Sequence, residues 1–314
     1  MSIQDAFANF SQFTSEQADK HDKFYTNVDV AAYCLKVAKP YISGRVVIEP
    51  SAGSGNMLNA AKMADFECYG FDILPEPDRQ DIQKLDYLSG PIRDHLPDDV
   101  KGKQLACVGN PPFGSKGNLA LHFLNKGLDE TGLVCFILPL CAKEWGFQKH
   151  VRPGAKLVHS ERLPSSSFTF CGEPRTVDCA FQIWTMDDIR VDLRINETPP
   201  TKHPDFEMIR HNCAGDPSVL QSDWEFAVRT QAYGDAAGVR VERGACLDPK
   251  KQWMMFWPHT LGARIVLNGI DFKGLCRGTT AVKGFSKARV IAAYKEVLRA
   301  ANDNDPTSLV SGGY

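Results

Sequence analysis

The sequence lacks paired cysteines, long apolar runs and a dominant charge. Ten cysteines occur in 314 residues. None form a Cys-x-x-Cys pair and no histidines cluster at ligand spacing, which argues against a bound metal. Cys107, Cys135 and Cys179 lie inside apolar runs, where a thiol behaves as a small hydrophobe. Reduced, mostly buried cysteines are predicted. No apolar stretch is long enough to span a bilayer. The N-terminus, Met1-Ser2-Ile3-Gln4-Asp5, has neither a basic start nor an apolar signal core, which predicts a cytoplasmic protein away from membranes. The formal net charge of -2 gives no global attraction to a polyanion, so any such contact needs a local basic patch. Residues 271–295 offer one: Lys273, Arg277, Lys283, Lys287, Arg289 and Lys295 against Asp271. A solvated helix face is the alternative reading of that segment. There is no internal repeat, no low-complexity tract and no nuclease motif.

What is present fits a globular chain of one large or two ordinary domains, with 43% hydrophobic and 24% charged residues. Residues 1–22 are polar with scattered Phe and read as an N-terminal arm. A helix is predicted after Thr26-Asn27, with Val30, Ala31, Cys34, Leu35 and Ala38 on one face, ending before Pro40. Strands are predicted at 45–49, 67–71, near Leu85, and at 105–108 and 133–138. Helices are predicted after Gly55 and over 118–128. Apolar strands alternating with helices indicate a mostly parallel sheet covered on both sides. Residues 156–162 and 176–184 follow with no helix between them, which predicts an antiparallel hairpin at the sheet edge. The predicted fold is thus α/β, a Rossmann-like seven-stranded sheet over residues 23–190. Residues 191–314 form a smaller α+β unit, entered through a linker or long loop at 196–217. Strands are expected there at 224–230, 239–242, 253–257 and 264–267, and a helix after Ser286, a suitable N-cap.

Two turns carry the chemistry. Glu49-Pro50-Ser51-Ala52-Gly53-Ser54-Gly55-Asn56 follows a predicted strand. Its glycines let backbone N–H groups and a helix N-terminus approach a ligand. The dinucleotide fingerprint needs a third Gly where Leu58 stands, which disfavours NAD. Asp72, ending the next strand about 20 residues on, is placed to take ribose hydroxyls. Asp86 ends the third strand and is placed for an adenine amino group. Ligands in such sheets bind at this carboxyl edge.

The second turn is Asn110-Pro111-Pro112-Phe113, just after the apolar run Leu105–Val108. The Asn110 side-chain oxygen and the Pro111 carbonyl can accept both N–H bonds of a planar amine. This favours a pyramidal nitrogen with a localised lone pair. Neither proline has an N–H to compete. Phe113 can stack on a base, a contact of about 1–3 kcal/mol. Phe168 or Phe170, in the loop of the edge hairpin, is a candidate second aromatic wall, with core packing the alternative for each.

These motifs resemble the class I S-adenosylmethionine-dependent methyltransferases, and within them the N6-adenine DNA enzymes. The resemblance covers residues 23–186. Phe24-Tyr25-Thr26 is similar to the upstream motif that closes over the methionine end of the donor, and the motif order resembles the gamma type. The resemblance implies S-adenosyl-L-methionine as cofactor, contacted by Tyr25, Thr26, Glu49, Pro50, Ser51, Ala52, Gly53, Gly55, Asn56, Asp72, Ile73, Asp86, Tyr87 and Asn110. It implies Asn110, Pro111, Pro112 and Phe113 as catalytic residues, and DNA as partner of a bacterial or phage-encoded enzyme. Residues 191–314 then serve target recognition, although they match no known recognition module. Trp224, Tyr233, Trp253, Phe256 and Trp257 interleave with Arg229, Arg240, Lys251 and Arg264 there, which suits nucleic-acid contact or a small β core equally. Residues 73–81 leave little room for the helix usual between the second and third strands. RNA adenine and protein glutamine remain alternative targets, and a non-catalytic cofactor-binding subunit is a third class.

Overall fold

A computed structural model describes residues 25–164, 168–170, 173–175, 177–233, 236–276 and 282–303. The predicted arm at 1–22 lies outside them. The chain divides into two units, the first ending at Glu197 and the second beginning at Thr198.

In the first unit, β1 (Tyr25–Thr26) leads into α1 (Val28–Ile42). The Asn27 side chain caps α1 by accepting the Asp29 N–H at 3.0 Å. Ala31, Cys34, Leu35, Ala38 and Ile42 form its buried stripe. The helix was expected to end before Pro40, but it runs through it to Ile42. Proline removes a single backbone bond there, and the fully buried Ile42 anchors the final turn. Next come β2 (Val46–Glu49), α2 (Asn56–Met63), β3 (Cys68–Asp72), β4 (Ile82–Lys84), β5 (Leu105–Gly109), α3 (Asn118–Thr131), β6 (Leu133–Pro139) and β7 (Lys156–Arg162). They are followed by β8 (Phe168–Phe170), β9 (Glu173–Arg175) and β10 (Cys179–Thr185).

Seven of these strands form one sheet in the order β4-β3-β2-β5-β6-β10-β7. Val47 lies opposite both Cys68 and Ala106, and Cys107 opposite Val134, all in parallel. β10 runs against both neighbours, with Phe181 facing Ile137 and Glu161. The expected architecture is therefore present: a mostly parallel Rossmann-like sheet, an antiparallel edge hairpin and a separate smaller unit. β2, β5, β6 and β10 are buried along their whole length, as strands covered on both faces must be. From β2 the chain winds outward through β3 and β4, then returns to lay β5 on the other side of β2. The sheet thus switches direction between β2 and β5. A second small sheet, β1-β8-β9, pairs Thr26 with Phe168 and Tyr25 with Thr169. The sequence predicts only a hairpin loop where β8 and β9 stand.

Residues 191–195 pack on the first unit. Arg194 donates to the carbonyls of Gln148, Val151, Arg152 and Ala155, and the Ile195 N–H donates to Gln148 Oε1 at 2.7 Å.

The second unit holds β11 (Phe206–His211), β12 (Phe226–Tyr233), β13 (Arg240–Glu242), β14 (Gln252–Pro258), α4 (Leu261–Asn268), β15 (Val282–Gly284) and α5 (Lys287–Asp303). Its five-stranded antiparallel sheet runs β11-β14-β12-β13, with β15 also on β12. Two expectations are corrected. The supposed loop at 196–217 contains β11, whose alternating Phe206 and Met208 point into the core. The supposed strand at 264–267 belongs to α4, where Thr260 caps the Ala263 N–H and Ala263, Val266 and Leu267 repeat at helical spacing. The helix after Ser286 is α5. Trp224, Trp253 and Phe256 are buried, so for these three the β-core reading holds. Arg240 pairs with Glu242, Arg264 with Glu225 and Lys251 with Asp248. In the basic segment, Lys287 and Arg289 donate to backbone carbonyls of their own unit.

Candidate active site

The glycine turn after β2 is held in a conformation that side chains resist. Gly53 and Gly55 have φ of 52° and 79°. A Cβ in this left-handed region costs about 1–2 kcal/mol. The Gly55 N–H donates to the Ala52 carbonyl at 2.6 Å, and the Ala52 N–H to the Phe71 carbonyl at 2.8 Å, which ties the turn to β3. Asp72 completes that tie: Oδ2 accepts the Gly53 N–H and Oδ1 the Leu74 N–H, each at 2.8 Å.

Asn110 leaves the end of β5, beside the end of β2. Its backbone carbonyl accepts the Ser51 hydroxyl at 3.3 Å, so the two motif loops touch. From the other direction, Asn56 Nδ2 donates to the Thr26 carbonyl at 2.8 Å, bringing in β1. Together they border a solvent-open cleft lined by Thr26, Glu49, Ser51, Ala52, Gly53, Ser54, Asn56, Met57 and Asn110. The cleft sits at the direction switch between β2 and β5, the point where open α/β sheets leave a crevice.

Glu49 is the buried acid of this cleft, only 3% exposed. Burial pushes its carboxyl well above the ordinary glutamate range. The Leu58 backbone bond offsets this in part, and the nearby Asp72 adds to it. Its Oε2 is buried without a hydrogen-bond partner. A buried polar atom in that state is costly unless something meets it.

The other predicted residues fall in different places. Ile73, just past Asp72, is 49% exposed and presents an apolar face to solvent. Asp86 is exposed and caps a short turn by accepting the Leu88 N–H at 3.0 Å. Tyr87 lies in the core, its hydroxyl 3.6 Å from Cys107 Sγ and its ring 5.3 Å from that of Phe123. Neither lines the cleft. Pro50 and Pro111 are buried and Pro112 half-buried. Phe113 is only 8% exposed and belongs to the main core. Tyr25 lies on β1, and Phe168 and Phe170 on β8, the strand paired with it. Ser54 and Met57 line the cleft without having been singled out. Their positions, between the two glycines and in the first turn of α2, were the available signal. Among the described residues no cluster of His, Cys, Asp and Glu could hold a metal ion. No helix among them is long and apolar enough to cross a membrane.

No family model matches the sequence, and no curated protein matches it. Several solved structures are similar to part of the chain. One is the modification subunit of a candidate type I restriction enzyme from Vibrio vulnificus. It shares 15% identity over 59% of this chain and 50% of that one, with a TM-score of 0.38. A candidate RNA methyltransferase from Pyrococcus horikoshii shares 16% over 52% of this chain and 87% of that one, with a TM-score of 0.38. A candidate class I S-adenosylmethionine-dependent methyltransferase from Listeria monocytogenes shares 16% over 54% and 62%, with a TM-score of 0.37. The chain spans half the length of the first of these. The fold rests on the strand order and register, not on these partial likenesses.

Proposed function

We propose that this chain transfers a methyl group from S-adenosyl-L-methionine to the N6 amine of adenine in DNA. The observation that carries the reading is the meeting of two motif loops at one cleft: Ser51 bonds Asn110, and both line it. The cleft's residues fit the cofactor. The buried, unmatched Glu49 oxygen suits a cation, and the left-handed glycines clear room for a close approach. Glu49 balances the cofactor's positive charge. Asp72, already fixed by Gly53 and Leu74, has oxygen lone pairs left for ribose hydroxyls. Thr26, Ser51, Asn56 and Asn110 supply the surrounding polar wall, and Ile73 an apolar surface.

When bound, the cofactor supplies an electrophilic methyl carbon on a sulfonium. The chain's part is to ready the acceptor. Asn110 Oδ1 and the Pro111 carbonyl each accept one amine N–H, which localises the nitrogen lone pair. The buried Phe113 keeps that turn rigid. The stacking wall falls to β8, where Phe168 and Phe170 remain the candidates, because β8 pairs with the cleft-lining Thr26. No strong base is required, since the amine proton can leave to water after attack. In a duplex the target base must be flipped out, at a cost of about a few kcal/mol. The second unit takes the recognition role.

Tritium-labelled donor offered to unmethylated DNA, RNA and a protein extract side by side tests the assignment. Label is expected in DNA and, after digestion, in N6-methyladenine. Label confined to RNA or protein refutes the substrate. Asn110→Ala is expected to abolish transfer while cofactor binding persists, and undiminished transfer removes Asn110 from catalysis.

A further inference from the structure

The segment 73–81 joins β3 to β4 without a helix, so the glycine turn lacks the backing a crossover helix gives. One side chain of this segment reaches the glycine turn. Arg79 Nη1 donates to the Ser54 carbonyl, and Nη2 donates to Asn59 Oδ1 of α2 at 3.1 Å. The same guanidinium is gripped from its far side by Asp81, with Nε on Oδ1 at 2.8 Å and Nη2 on Oδ2 at 2.9 Å. Asp81 is held in turn by Lys62 Nζ, in the last turn of α2, at 2.6 Å. The guanidinium fills the space where a Cβ on Gly55 would stand. Gly55 is required for its left-handed φ, and a Cβ there would also displace the guanidinium.

From this chain of contacts we infer that Arg79 is a positioning residue for the cofactor turn, a strut that holds Ser54-Gly55 against α2 in place of the absent helix. Arg79 does not line the cleft, whereas Ser54, Gly53 and Asn56 on either side of its contact do. It acts through the turn. A planar fork suits the task, since it meets Asp81, Asn59 and a backbone carbonyl at once in fixed directions. An ammonium cannot do so. Supporting this, Arg79's hydrogen bond holds the Asp81 carboxyl well below the ordinary aspartate range, so the pair stays charged at any working pH.

The inference rests on the methyl-donor reading only for its ligand, and two readouts keep the two apart. In the cofactor-free protein, Arg79→Ala is expected to speed amide hydrogen exchange at residues 53–57 while β5 and β6 keep wild-type protection. Unchanged exchange at 53–57 overturns the strut whatever the ligand proves to be. With S-adenosyl-L-methionine, Arg79→Ala is expected to raise Kd and the cofactor KM by about tenfold. kcat at saturating cofactor and the KM for DNA should stay the same. A fall in kcat with the cofactor KM unchanged overturns the positioning role. Arg79→Lys should recover less than half of the loss. Should Arg79→Ala not fold, Asp81→Asn loosens the same fork from behind and is expected to move both readouts in the same direction. If the wild type has no affinity for the cofactor, the proposed function falls, and the exchange experiment still decides Arg79.

Discussion

Glu49→Gln replaces the cleft's buried acid with a neutral side chain of nearly the same shape. Its effects on folding and on binding should have opposite signs. In the empty protein, burial raises the carboxyl above its ordinary value of 4.5, so the folded state favours the proton. The stability this neutral form contributes is fully present below the ordinary glutamate range. It is lost as pH rises through the raised value. Glutamine carries no such dependence, so the variant should equal the wild type in acid and exceed it increasingly toward neutral and alkaline pH. Binding runs the other way. A cation entering the cleft favours the ionised carboxyl, so the wild type should release a proton as S-adenosyl-L-methionine binds wherever Glu49 starts protonated. A hydrogen bond to a charged group is worth about 1.5–3 kcal/mol. Its loss should weaken binding by about tenfold to a hundredfold. Calorimetry in buffers of different ionisation enthalpy reads both quantities: wild-type heats should vary with buffer and those of the variant should not. Equal affinity for the variant, or buffer-independent heats for the wild type below neutral pH, would falsify the role given to Glu49.

Two predictions concern the fold. Arg194→Ala deletes a guanidinium that donates to four backbone carbonyls, and denaturant titration should show a loss of about 2–4 kcal/mol. A change within about 0.5 kcal/mol, the size of an ordinary surface substitution, means the segment 191–195 is not pinned as described. The thiols give an independent check on burial: Cys107 and Cys179 are pushed up to about 12 by desolvation, whereas Cys213 and Cys246 are exposed. Brief native alkylation followed by peptide mass spectrometry should label Cys213 and Cys246 and spare the other two. Early labelling of Cys107 contradicts the packing of β5.

Much of the first unit was legible because its signals are short-range. Leu133–Leu138 is apolar throughout, which only a strand covered on both faces tolerates. The two glycines mark a turn whose φ values exclude most residues. The order of motifs placed Ser51 after the first predicted strand of the sheet and Asn110 after the fourth, although their contact depends on β5 returning beside β2. What escaped depends on tertiary partners. Phe113 follows two prolines and reads as a stacking surface for a base, yet it is counted in the main core. Tyr87 reads as a strand-end residue beside Asp86, but Cys107 and Phe123 draw it into the core. Arg79 sits in a stretch of proline and aspartate that gives no hint of its contacts with Ser54 and Asn59. The span 264–267 reads as a strand because a short apolar run satisfies either period. The Thr260 cap of α4 was the missed cue.

The position of β10 has a cost during synthesis. β6 is apolar along both faces, and in the finished sheet its far side is closed by β10, a strand made some forty residues later. On a ribosome delivering about 5–20 residues per second, β6 waits several seconds with a row of open amides and carbonyls. β7 cannot protect it, since β7 joins the sheet through β10. A chain that stops short of β10 keeps that edge open, so a truncation at residue 178 should aggregate more than one that ends at Glu197.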